Sequence, residues 1–133
     1  MEMKQINLFI CITYNYKKMS LTKVTHNVLE DRYTTLKAIG SDNVCNCNEG
    51  NIFTKTISGD TTLNFTNAKV GDVKTVILTG NGTTATITLN ANGSAGTFNN
   101  LGGSYDSTNN VKNLLELKFV SATEAYFQFS KPS

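Results

Sequence analysis

From residue 51 onward the chain alternates apolar and polar side chains in short runs, each closed by residues that turn the backbone. A period of two puts successive side chains on opposite faces of a strand, so such runs fold as strands with one face on a core. "TATITLN" sends Ala85, Ile87 and Leu89 to one side and Thr84, Thr86 and Thr88 to the other. "LLELKFV" directs Leu115, Leu117 and Phe119 inward, and "EAYFQFS" groups Ala125, Phe127 and Phe129. "VKTVILTG" adds a more continuously apolar strand around Val76 to Leu78. "IFTKTI" and "TTLNFT" flank a turn at Ser58 to Asp60, with Phe53, Ile57, Leu63 and Phe65 assigned to the core. "GNG", "NANGSAG" and "LGGSYDSTNN" separate the runs and are rich in residues that tolerate positive φ. About six or seven short strands at regular spacing predict an all-β fold, a small antiparallel β-sandwich or jelly-roll-like head.

Composition agrees with strands and turns: 39% of the residues are hydrophobic and only 17% charged, with ten glycines and one proline. At 133 residues the chain suits one core plus an extension. The division expected is a 1–50 N-terminal arm and a 51–133 β domain.

The arm reads differently. In "SLTKVTHNVLEDRYTTLKAI" the spacing of Leu21, Val24, Val28, Leu36 and Ile39 fits one face of a helix. Thr25, Thr34 and Thr35 are β-branched and weaken it, so a short helix or an extended segment is expected. "INLFICITY", Ile6 to Tyr14, lacks a small-residue cleavage site and is well short of the roughly 20 apolar residues of a membrane span, so it reads as a buried strand and no membrane partner is expected.

The inventory of reactive groups argues against an enzyme. His26 is the sole histidine, Glu30 and Asp31 are adjacent and diverge on a helix, and no nucleophile elbow, phosphate loop or dinucleotide fingerprint occurs. No catalytic residue, cofactor or metal is assigned. Cys11, Cys45 and Cys47 are odd in number, and the one-residue gap in "CNC" is awkward for a mutual disulfide and narrow for a zinc pair. Residues 1–40 carry a net +3 and the remainder −1, without Lys and Arg interleaved with aromatics, so no nucleic acid is expected. Asn64, Asn81 and Asn92 begin glycosylation triplets that an Asn- and Thr-rich chain produces by chance, and they are assigned to structure. Tyr105 and Asp106, in a Gly-rich stretch, form a candidate ligand-facing loop for surface glycans, although the chain has no Trp to stack on a sugar face.

Two stretches carry a family resemblance. "SLTKVTHNVLEDRYTTLKAIGS" followed by "GNIFTKTISGDTTLNFTNAKVGDVKTVILTG" resembles bacteriophage virion fibre proteins: a short attachment segment "TK-T-x-N-x-LEDRY", then a β head. The head pattern falls on Phe53, Thr56, Gly59, Thr61, Thr62, Leu63, Phe65, Asn67 and Gly71, and the closing "NLLELKFVSATEAYFQFSKPS" is similar too. The likeness covers residues 20–133 and is nearest to the trimeric head fibre proteins of crAss-like phages. It implies a homotrimer on the capsid exterior of the virion, anchored by its arm to a major or auxiliary capsid protein. The oligomer and capsid interface is then expected at Leu21, Val24, His26, Val28, Leu29, Arg32, Tyr33 and Leu36. The first 18 residues lie outside the likeness.

Overall fold

The computed structural model of the chain describes residues 35–133. These form nine strands and no helix: β1 Leu36–Ala38, β2 Val44–Asn46, β3 Ile52–Thr56, β4 Thr61–Thr66, β5 Val73–Thr79, β6 Ile87–Ala91, β7 Thr97–Asn100, β8 Lys112–Phe119 and β9 Glu124–Ser130. "INLFICITY", Cys11 and every assigned arm residue except Leu36 lie outside the described residues.

The strands make a six-stranded sheet, β1-β3-β5-β8-β9-β7, and a three-stranded sheet, β2-β4-β6. The chain passes from the large sheet to the small one three times, β1 to β2, β3 to β4 and β5 to β6. Each pass lays its strands parallel beside those of the pass before. This is the winding of a short β-solenoid. The β8–β9 hairpin then closes the last coil, β8 pairing antiparallel with β5, and β7 adds a parallel edge to β9.

The all-β expectation stands. The antiparallel sandwich requires correction, because five of the seven ladders are parallel. The reason is visible at the corner between β3 and β4. Instead of reversing into a hairpin, the chain keeps its ladders going around the bend: Ile57 N donates to Thr79 O, and Thr61 N to Thr86 O. Asp60 Oδ1 accepts from Thr86 N at 2.8 Å, which hooks the corner onto the next coil.

Inward side chains follow the alternation. Phe53, Ile57, Leu63, Phe65, Val76, Leu78, Leu115, Leu117, Phe119 and Ala125 are all buried, and both sheets contribute to one core. Phe127 and Phe129 are half-buried against it. At about 1.5–3 kcal/mol for each large apolar side chain, this burial is the main stabilising contribution.

Two observations concern the expected arm, for which a short helix and an extended segment were both open. Leu36 to Ala38 is strand, not helix: it pairs with β3, and Ile39 N continues the ladder to Thr54 O. Leu36 and Ile39, placed on one helical face by their spacing, therefore point to opposite sides of a strand, at 54% and 8% exposure. Moreover β1 and β2 belong to the same compact unit as β3 to β9.

One inward position is occupied by a charge. Lys74, between outward Val73 and Thr75 on β5, is 1% exposed. Its ammonium donates to Cys47 O at 2.9 Å, Gly50 O at 2.8 Å and Asn51 Oδ1 at 2.6 Å, tying the β2–β3 connection to the next coil. Charge-assisted bonds of this kind offset the cost of burying the ammonium. Lys74→Met keeps the length and leaves those oxygens without their donor. It is expected to lower the unfolding free energy by about 2–4 kcal/mol in a urea titration; an unchanged midpoint would show that the connection is held by other contacts.

Candidate functional site

Residues 101–111 link β7 to β8 and cross the end of the large sheet, and Asn113 fixes their course. Asn113 follows the inward parity of Leu115 and Leu117 and is 1% exposed. Its Oδ1 accepts from Asp106 N at 2.7 Å, and its Nδ2 donates to Asp106 O at 2.9 Å and to Leu78 O at 3.2 Å. The buried amide thus satisfies itself by holding the backbone of one loop residue from both sides. Gly103, at φ +76, lies against the Phe129 carbonyl where a Cβ would collide. Only glycine combines that φ with so close an approach.

Tyr105 is the last member of a row of edge-to-face rings that starts in the core. Phe65 meets Phe119 at 5.7 Å between centroids, Phe119 meets Phe98 at 6.2 Å, and Phe98 meets Phe127 at 6.5 Å. Phe127 then meets Phe129 at 6.0 Å, and Phe129 meets Tyr105 at 6.5 Å. The Tyr105 hydroxyl is buried and has no hydrogen-bond partner among the described residues. Burial first, and the Asp106 carboxylate second, raise the phenol above its ordinary pKa, so it stays a proton donor.

Asp106 is held well below the usual carboxylate range, first by its hydrogen bond with Lys131 and then by Thr108. Its Oδ1 accepts from Thr108 N at 2.9 Å, and its Oδ2 pairs with the Lys131 ammonium. It is consequently an ionised acceptor at neutral pH, not a general acid. The Lys131 side chain is 51% exposed, so the pair orients the groups more than it stabilises the fold.

Together with Gly103, Ser104, Ser107, Phe129 and Ser130, these three residues line an open pocket of about 490 Å³. An ionised acceptor, an ammonium and serine hydroxyls beside aromatic edges suit a small hydroxylated ligand. Among its lining residues the pocket has a single carboxylate and no histidine or thiol.

The two residues singled out for ligand contact, Tyr105 and Asp106, are therefore brought into one pocket. Lys131 and Asn113 were not foreseen, although Asn113 could be found as the one polar residue at an inward position of β8. Of the interface residues only Leu36 is described, on the outer face of β1. Cys45 and Cys47 both point into the core, where burial first and the neighbouring Cys47 second push the Cys45 thiol up to about 12. Among the described residues no three His, Cys, Asp or Glu converge as metal ligands. Asn64 and Asn92 are tied into the fold: Asn64 Oδ1 accepts from Gly93 N, and Asn92 Nδ2 donates to Ala122 O at 2.7 Å. Comparisons with protein-family models, curated proteins and solved structures find no match to the chain.

Asn113→Ala strands the Asp106 backbone and is expected to cost about 2–3 kcal/mol in thermal unfolding. Tyr105→Phe removes only a hydroxyl without a partner among the described residues and is expected to be neutral or to stabilise by up to about 1 kcal/mol. A large loss in the second variant would mean that the hydroxyl has a partner.

Proposed function

We propose that the chain is a structural virion protein of a tailed bacteriophage, a trimeric head fibre or capsid decoration protein without catalysis, displayed on the capsid exterior. The observation that carries the reading is the order of parts in the sequence: the "TKVTHNVLEDRY" attachment pattern, then the head pattern from Phe53 to Gly71. The fold is compatible with it. It is a small coiled head whose frame is held by core packing and backbone ladders between stacked parallel strands. The arm contacts a major or auxiliary capsid protein, and neither nucleic acid nor membrane is a partner.

The test is composition of purified particles. The protein is expected in the virion in multiples of three copies per attachment point, and its absence from particles would overturn the reading. Val28→Asp is expected to reduce incorporation by about tenfold or more through a buried charge at the anchor, with the circular dichroism of the head unchanged. Normal incorporation would move the anchor elsewhere.

A second reading, glycan binding or host adhesion by the same head, is favoured by the pocket that joins Tyr105, Asp106 and Lys131. A glycan array with the intact protein should then give saccharide hits that Asp106→Ala abolishes. An array without hits, together with unchanged phage adsorption, would remove this reading while leaving the structural one in place.

A further inference from the structure

The two sheets differ sharply on their outer sides. The small sheet presents Thr62, Asn64, Thr88 and Asn90, with half-buried Val44 as its only large apolar side chain. The large sheet exposes Leu36 at 54%, Ile52 at 37%, Val73 at 57%, Leu101 at 66%, Val120 at 41% and Tyr126 at 41%. Among the described residues, the only other exposed large hydrophobic is Val70, in the β4–β5 turn. Solvated single apolar residues are ordinary, but their collection on one face of one sheet is not.

We propose that this outer face of the six-stranded sheet is the surface through which copies of the chain associate. The registers explain why the face is continuous: Leu36, Ile52, Thr75, Glu116 and Gln128 lie in one cross-strand row. Val73, Lys118 and Tyr126 lie in another. Val73, Leu101, Val120 and Tyr126 line a shallow groove of about 450 Å³. Ile77, Leu114 and Pro132 line another of about 320 Å³.

Two considerations select a second copy as the occupant. The charges on the face are of both signs, Lys112, Glu116 and Lys118 along β8 and Glu124 on β9. An identical copy can therefore set lysine against glutamate, whereas a face made for a strongly charged partner would carry one sign. The size also fits. Five inter-strand steps of about 4.8 Å and a β8 of eight residues give a projected face of up to about 650 Å². Side-chain relief brings that to the order of the roughly 800 Å² per partner of a stable interface. Leu36, assigned to the oligomer contact from the sequence, lies on this face. The location deepens the reading of the chain as self-associating and rests on no particular number of copies.

Sedimentation velocity of the full chain provides the test. The wild type is expected to be oligomeric, and Val73→Asp with Tyr126→Asp should weaken association by at least about tenfold while circular dichroism and the urea midpoint are retained. Thr62→Asp with Thr88→Asp, on the small sheet, should leave the oligomer intact. An oligomer that survives the first double substitution overturns the face and spares the virion reading. A monomeric wild type, with the face covered by another protein or by another part of the chain, overturns it as well. Absence of the wild type from particles would defeat the virion reading without touching the face. If the first double variant does not fold, radical footprinting of the wild type over a dilution series replaces it. Tyr126 labelling must rise as the oligomer dissociates, and constant labelling overturns the proposal.

Discussion

The structure depends on the in-register stacking of parallel strands, coil upon coil. Because register is kept, inward side chains of successive coils fall into rows, Cys45, Phe65 and Ala91 in the small sheet and Phe53 and Val76 in the large one. Each row fills the core beneath its neighbour while the backbone groups of inner strands pair on both sides. A slip of one residue in any coil would carry its whole inward set to the outer face. The β8–β9 hairpin extends the same rows, Val76 to Leu115 to Phe129, and covers the strand edge that β5 would otherwise present.

Among the polar residues at inward positions, Lys74 and Asn113 each turn the position into an anchor. Lys74 binds the β2–β3 connection through three oxygens, and Asn113 binds the loop of Tyr105 and Asp106 from both sides. Buried donors and acceptors are tolerated only when satisfied, so both connections are held in one course. Outward asparagines perform a milder version of the same task. Asn67 Nδ2 donates to Asn46 Oδ1 at 2.9 Å between consecutive coils, and Asn67 itself takes a positive φ of 57°. The Thr- and Asn-rich composition is thus more than a solvated surface, since part of it links one coil to the next.

This construction separates the protein's surfaces. The pocket lies among loops at the end of the large sheet, joined to the core by a row of aromatic rings. The apolar surface lies on that sheet's outer side, and the small sheet turns a neutral polar side to solvent. For the virion component proposed above, this division would keep the proposed contact surface between copies apart from the side left in water.

Much of the core was legible in the residues. Alternation placed Leu63, Phe65, Leu115, Leu117 and Phe119 inside, and the same parity marks Lys74 and Asn113 as polar groups at inward positions. β1, β2 and β7 were missed because three or four residues are too short to show a period, and Leu36 with Ile39 fits a helix as readily as a strand. Tyr105 and Asp106 were visible as a loop, but their partner Lys131 was not, because it stands 25 residues away in sequence. The sequence by itself determined which side chains face inward, since that depends only on alternation along each strand. The tertiary structure alone decided which strand lies beside which. Backbone hydrogen bonds are blind to side-chain identity, and the choice between a hairpin and a new coil was made at corners such as Ile57 to Asp60, by contacts with a strand not yet synthesised when the corner is.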